Sequence, residues 1–263
     1  MTPRRHPPEH TVPVLHVVIP FLDEESTLNT IVDRLEACPW PEGWSASVVL
    51  VDDGSGPNAA DASKRLAGSD REIDVRLLQH EANRGKGAAL RTGFQKILET
   101  ADEADLVGVQ DADLEYDPAD LARIVTILIE ATPKIDAVFG NRWSTSRGTT
   151  IRRIHRLGNQ TLTRISNVLT GLSLSDMECC YKVIRVPMLR RILPDLDENR
   201  FAIEPQLAAS LARHGAKLME TPVSYEPRSF SEGKKIGARD GIAAVLAMLR
   251  EWRRTRRHRG GEA

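Results

Sequence analysis

Short apolar runs alternate with amphipathic stretches through the first 140 residues. Leu15-His-Val-Val-Ile19, Val48-Val-Leu-Val51, Val75-Arg-Leu-Leu78, Leu106-Val-Gly-Val109 and Ala137-Val-Phe139 predict five strands. Between them, Glu24 to Ala37 carries Leu28, Ile31, Val32 and Leu35 at the spacing of one helix face. Ala59 to Ala67, Lys86 to Glu99 and Pro118 to Glu130 predict three further helices, the last with proline in its first turn. The second half is less regular: Ile151 to Leu169, Ile203 to Arg213 and Ile236 to Arg257 predict helices, and Tyr181 to Ile184 and Lys217 to Val223 predict strands.

Strand–helix alternation implies an α/β fold, a mostly parallel sheet with helices on both faces, here with a C-terminal helical elaboration. Such sheets bind ligands beyond the carboxyl ends of their strands. The polar motifs fall there, after Ile19, Val51, Val109 and Phe139. The expected organisation is a flexible N-terminus (1–13), one main domain (14–245) and a basic C-terminal helix or tail (246–263).

Asp111-Ala-Asp113 ends an apolar strand. Residues i and i+2 of extended chain project to one side, so two carboxylates can converge on a hard cation, Mg²⁺ or Mn²⁺, with Glu115 two residues further on. An isolated Asp-x-Asp is more often a solvated acidic loop; its position after a buried strand favours the metal reading. Asp52-Asp-Gly-Ser55 suits either a nucleoside or a turn. Asn83-Arg-Gly-Lys86-Gly87 opens a helix, where N–H groups and cations suit an anion, although its glycines serve equally to shape a turn. It is not a Walker A loop, since Gly87 stands where Ser or Thr is needed. Arg142, Arg147, Arg152 and Arg153 form one basic group, and Tyr225-Glu-Pro-Arg228 with Gly233-Lys-Lys-Ile236 another. Asp176, in Ser175-Asp-Met-Glu-Cys-Cys-Tyr-Lys182, suits a base, an orienting group or a cap.

In order, these motifs resemble family 2 glycosyltransferases of GT-A fold, and within them the branch making polyprenyl-phosphate (dolichyl-phosphate) hexoses. The resemblance spans residues 14–245 and rests on Val18-Ile-Pro20 with Glu24, Val51-Asp-Asp-Gly-Ser55, Asn83-Arg-Gly-Lys-Gly87, Asp111-Ala-Asp-Leu-Glu115, Gly140-Asn-Arg142, Ser175 to Lys182, and Arg228 with Gly233-Lys-Lys235. It implies a nucleotide-sugar pocket of Pro20, Leu22, Glu24, Val51, Asp53, Lys86, Asp111, Ala112 and Asp113. Asp111, Asp113 and Glu115 would be metal ligands, and Arg142, Arg152, Arg153, Arg228 and Lys234 would bind phosphates. Asp113, Asp176 and Arg228 would sit at the reacting centre. Leu22 and Asp23 stand where relatives often carry an aromatic residue and Asn, and Glu115 where Gln is common in mannosyl enzymes.

The implied reaction moves a hexose from UDP-glucose or GDP-mannose to polyprenyl phosphate. A soluble or glycan acceptor and a catalytically silent nucleotide-sugar binder are the alternatives. A nucleotidyltransferase fits less well, given the late Arg–Gly-Lys-Lys segment.

Charge refines this picture. Lys and Arg number 36 against 37 Asp and Glu, a net of −1. Yet residues 250–263 hold six arginines and two glutamates, net +4, leaving 30 basic against 35 acidic residues in the body, net −5. With Trp252 and the apolar Ala243 to Leu249 beside it, that tail has the composition of a helix meeting anionic lipid. Aromatics for nucleic-acid binding are lacking. The longest apolar run, Ile242 to Leu249, is eight residues, short of the ~20 needed to span a bilayer. Three cysteines without zinc-site spacing suggest reduced thiols, and the polar first 13 residues lack a signal-peptide core. The expected location is cytoplasmic, peripheral at the membrane face.

Overall fold

The computed structural model describes residues 12–144, 150–227 and 238–260. Seven strands form one sheet: β1 (Val14–Phe21), β2 (Ser45–Asp52), β3 (Asp74–Gln79), β4 (Leu106–Val109), β5 (Ala137–Asn141), β6 (Lys182–Arg185) and β7 (Leu218–Pro222), in the order β3-β2-β1-β4-β6-β5-β7. The pairs β1–β2, β2–β3, β1–β4 and β5–β7 are parallel; β6 alone runs against both its neighbours, β4 and β5. The parallel strands are predicted; the reversed β6 between β4 and β5 is not, because register across non-sequential strands leaves no local signal.

The helices are α1 (Leu28–Glu36), α2 (Pro57–Ala67), α3 (Lys86–Leu98), α4 (Ala119–Glu130), α5 (Thr150–Thr170), α6 (Val186–Ile192), α7 (Ile203–Arg213) and α8 (Ala238–Gly260). α1 starts with its apolar face at Leu28, later than the predicted Glu24. Asp23 is left-handed (φ 56°), and Thr27 and Leu28 both donate to the Glu24 carbonyl, closing a turn before the helix. α6 is absent from the sequence reading: seven residues including a proline are too few to display a period. β1, β2 and β4 are apolar throughout their centres and wholly buried there. α3 lies close on β1 because Gly93 has no side chain; a Cβ there would stand 2.5 Å from Val18 Cγ1.

β1 has β2 on one side and β4 on the other, so the loops leaving β1 and β4 diverge. Binding crevices form at such switch points, and the loop after β4 carries Asp111 to Glu115.

α8 is continuous across residue 245 and packs on α5 and α7. Ala244, Ala247, Met248 and Glu251 are buried, while Ile242, Leu246, Leu249, Arg253 and Arg256 form the exposed stripe. The Glu251 carboxylate accepts from Arg213 (2.6 Å), Arg254 (2.7 Å) and Gln206 (2.9 Å). Arg250 pairs with Glu198, and Arg254 also with Asp197 at 2.7 Å. Part of the basic tail is thus neutralised by the acidic turn before α7.

Removing one partner of a buried ion pair strands the other. Glu251→Ala should therefore destabilise the protein by about 3 kcal/mol or more, read as a lowered urea midpoint. An unchanged midpoint contradicts this account of how α8 is held.

Candidate active site

The site begins with three loops laced together at the carboxyl edge. Asp53 follows β2 and is buried. Its carboxylate accepts from the backbone N–H of Arg84 (3.0 Å) and Gly85 (2.7 Å), and pairs with His80 Nδ1 (2.7 Å). Asp52 accepts from Ser55 N–H at 2.8 Å, and Asp23 Oδ1 from Gly56 N–H at 2.8 Å, so the loops after β1 and β2 hold one another. Gly85 (φ +98°) is required twice over: its backbone is left-handed, and a Cβ would lie 2.4 Å from the Asn199 carbonyl. That carbonyl accepts from Ala88 N–H at 3.0 Å. Asp53 therefore holds the turn before α3, the Asn199 carbonyl takes one N–H of its first turn, and the helix places the Lys86 side chain in the site.

Lys86 Nζ lies 2.8 Å from Asp111 Oδ1 and 3.0 Å from Glu204 Oε1, the second an ion-pair contact without hydrogen-bond alignment. Glu204 Oε2 in turn lies 2.5 Å from Lys182 Nζ, which donates to the Cys179 carbonyl at 2.5 Å. Burial works against the charge on Lys86, but the Asp111 and Glu204 carboxylates outweigh it and hold its pKa well above the ordinary lysine value. The backbone around Asp111 is fixed from behind. Gln110, fully buried, donates to the Asp111 carbonyl (2.9 Å) and accepts from the Tyr181 hydroxyl (2.5 Å).

Asp113 and Glu115 lie on a left-handed turn at Leu114 (φ 61°), with Glu115 N–H donating to Asp113 Oδ1 at 3.1 Å. Hard carboxylate oxygens at Asp111 and Asp113 fit a divalent cation that takes its remaining ligands from phosphate and water. Among the described residues no three carboxylate, imidazole or thiol side chains form a ready metal cluster. The Tyr225 hydroxyl bonds Glu115; burial, and then the Glu115 charge, raise its pKa. Tyr225 also bridges to Tyr116, and Glu226 N–H donates to the Glu115 carbonyl at 2.8 Å. Tyr225 and Glu226 thus lie beside the Asp111–Glu115 loop.

Asp176 is fully buried. Arg142 binds it through two side-chain nitrogens, both at 2.7 Å, and through its backbone N–H at 3.1 Å. This fork satisfies both carboxylate oxygens and holds the guanidinium over the rings of Trp143 (5.0 Å) and Tyr225 (5.3 Å). Arg156 covers Trp143 as well, at 5.8 Å.

Of the residues expected in the site, Asp53, Lys86, Asp111, Asp113, Glu115, Arg142 and Asp176 all lie on the loops and helix starts of this edge. Val51 and Ala112 are buried in the core, and Pro20, Leu22 and Glu24 are half-buried along the β1 exit. Arg228 and Lys234 lie outside the described residues, as do the side chains of Arg152 and Arg153 on α5. Sequence reasoning missed Glu204, Lys182, Gln110, Tyr116 and Tyr181. Tyr181 and Lys182 stand within the Ser175 to Lys182 motif and Tyr116 directly follows Glu115, whereas Glu204 and Gln110 are only polar residues amid apolar ones. A shallow cleft of about 400 Å³ lined by Pro13, Trp44, Glu103 and Arg185 lies near the opposite ends of β1 and β4 and holds none of the motif residues.

A family model described as "Glycosyl transferase family 2" matches residues 16–193. Two similar proteins are the undecaprenyl-phosphate 4-deoxy-4-formamido-L-arabinose transferases of Edwardsiella ictaluri and Pectobacterium carotovorum. The first is 30% identical over 85% of this chain and 63% of its own length, the second 28% identical over 83% and 61%. The chain thus spans a little over three fifths of these relatives. Among solved structures, glucosyl-3-phosphoglycerate synthase of Mycobacterium tuberculosis with Mn²⁺, UDP-glucose and phosphoglyceric acid superposes with a TM-score of 0.64 at 18% identity, covering 91% of this chain and 79% of that one. The fold is α/β of the GT-A type.

Glu178 tests the buried electrostatics of the site. Its Oε1 is buried and has no hydrogen-bond partner among the described residues. Burial first, and the Glu204 charge second, push its pKa from about 4.5 up to about 7. Folding then favours the protonated acid, so this contribution to stability is full below about pH 4.5 and is lost as the pH rises through about 7. Glu178→Gln, neutral at every pH, should gain on the wild type by at most about 3 kcal/mol between pH 5 and pH 8. A melting difference independent of pH contradicts the assignment.

Proposed function

Because the chain belongs to glycosyl transferase family 2, we propose that it is an inverting glycosyltransferase moving a hexose from a nucleoside-diphosphate sugar to a polyprenyl phosphate. The observation that carries the acceptor class is the likeness over 85% of the chain to a transferase named for undecaprenyl phosphate. For the donor, the grouping of Asp111, Asp113 and Lys86 supports a nucleoside diphosphate, and the wording Asp111-Ala-Asp-Leu-Glu-Tyr116 favours UDP-glucose over GDP-mannose.

In this reading Asp53 and the β1 exit, Pro20, Leu22 and Glu24, shape the nucleoside pocket. Asp111 and Asp113 would hold Mg²⁺ or Mn²⁺, which when bound supplies positive charge beside the diphosphate leaving group. The acceptor phosphate is a monoester with a second pKa of about 6, so at neutral pH its oxygen is already anionic and needs no base to attack the sugar carbon. Asp176, held by Arg142 at both oxygens, suits orientation better than proton abstraction. Two phosphates meeting in one site repel, and Arg142, Arg152, Arg153, Arg228 and Lys234 are the cations available to offset that.

A second reading keeps the donor and changes the acceptor. The Mycobacterium tuberculosis protein was crystallised with phosphoglyceric acid, a soluble phosphorylated compound, and a phosphate-bearing soluble acceptor would meet the same cations.

Access to a lipid acceptor would come through α8. No helix among the described residues is long and apolar enough to cross a membrane. The exposed stripe of α8 instead presents Ile242, Leu246 and Leu249 followed by Arg253 and Arg256, apolar residues for the acyl boundary and arginines for anionic headgroups.

Purified protein incubated with Mg²⁺, radiolabelled UDP-glucose or GDP-mannose, and both polyprenyl phosphate and phosphoglyceric acid should move label into the organic phase, and Asp113→Ala should abolish that transfer without unfolding. Label appearing only in an aqueous product of phosphoglyceric acid favours the second reading, and undiminished transfer by Asp113→Ala removes the site. Replacing Ile242 and Leu246 by Ser should weaken sedimentation with phosphatidylglycerol vesicles several-fold. Equal sedimentation contradicts the membrane face.

A further inference from the structure

The four charges Asp111, Lys86, Glu204 and Lys182 form a single file from the site into the core. Side-chain exposure falls along it, from 23% at Asp111 through 13% and 5% to zero at Lys182. Contacts of 2.8, 3.0 and 2.5 Å link each member to the next, and the signs alternate. Glu204 occupies the branch point, with one oxygen on each lysine.

Two consequences follow from charge alone. A divalent cation arriving at Asp111 meets an ammonium already seated on Oδ1, and two cations on one carboxylate repel strongly at that separation. Lys86 must therefore leave Asp111 for the cation to bind well. An ammonium this buried cannot leave its only partner cheaply, but Lys86 has a second, Glu204, already in contact.

We infer that Glu204 is a positioning residue that retains Lys86 when Asp111 is given up, and that Lys86 is the counter-charge occupying Asp111 until a cation and a nucleoside diphosphate displace it together. The inference rests on reading Asp111 as part of the donor site. The diphosphate brings the anion that accepts Lys86, so cation and nucleotide each favour the other's binding. That is a coupling between ligands built from one lysine and two carboxylates.

Mn²⁺ binding measured directly, by electron paramagnetic resonance of the free ion, tests this on the full chain with and without UDP or GDP. In wild-type protein, nucleotide should tighten Mn²⁺ binding about tenfold, and Asp111→Asn should weaken it. Lys86→Met should bind Mn²⁺ alone several-fold more tightly than wild type and lose most of the tightening by nucleotide. Glu204→Gln, which leaves Lys86 with Asp111 as its only carboxylate, should bind Mn²⁺ alone several-fold more weakly. The double variant should bind Mn²⁺ nearly as Lys86→Met does, because Glu204 reaches Asp111 through Lys86 and its other oxygen serves the more deeply buried Lys182. A Lys86→Met protein that binds Mn²⁺ no more tightly overturns the inference, as does a Glu204 effect that persists unchanged without Lys86. Should Glu204→Gln fail to fold, the Lys86→Met titration still decides. Mn²⁺ binding indifferent to Asp111→Asn would instead remove the donor-site reading, and this inference with it.

Discussion

One ion pair joins the two halves of the carboxyl edge: the Lys86 ammonium, at the start of α3, on the Asp111 carboxylate, at the end of β4. Neither element reaches the other by backbone pairing. The contact depends on α3 being brought down by Asp53 and Asn199, on Gln110 fixing the backbone behind Asp111, and on Glu204 balancing the lysine from below. Buried charge is tolerated only where each member has a partner, so the site's electrostatics and its packing are one constraint. Asp176 and Arg142 solve the same problem with a bidentate fork.

The distribution of charge along the chain takes on a different meaning in three dimensions. The basic tail and acidic body are not independent surfaces. Arg250 and Arg254 close on Asp197 and Glu198, and Glu251 is buried among Arg213, Gln206 and Arg254. The same turn passes its Glu198 and Asn199 carbonyls against Gly87 and Gly85. The residues that dock α8 are therefore neighbours of those that hold the start of α3, while Arg253 and Arg256 remain on the exposed stripe.

Much of this was legible because it is local. The five apolar runs of the first half, the helical spacing of Leu28 to Leu35, and acidic motifs directly after Val51 and Val109 each encode their own placement. The structure bears out the mostly parallel α/β sheet. What stayed illegible depends on contacts distant in sequence. Glu204 looks like one polar residue on an ordinary helix until α7 lies beneath Lys86. Lys182 sits in a short apolar strand, where a buried lysine has no local rationale. The reversal of β6 and the seven-residue α6 carry too few residues to show a period. For Arg250 and Arg254, composition registered the charge while the partners lay some fifty residues away.

The account's central claim is that the Lys86–Asp111 pair marks the seat of a cation and a nucleoside diphosphate. The most direct measurement is anomalous diffraction from crystals grown with Mn²⁺ and UDP or GDP. The account predicts a manganese peak against Asp111 and Asp113, with Lys86 Nζ withdrawn from Asp111 Oδ1 toward the diphosphate or Glu204. A nucleotide bound away from the β4 loop, or manganese bound with the Lys86–Asp111 pair intact, would contradict it.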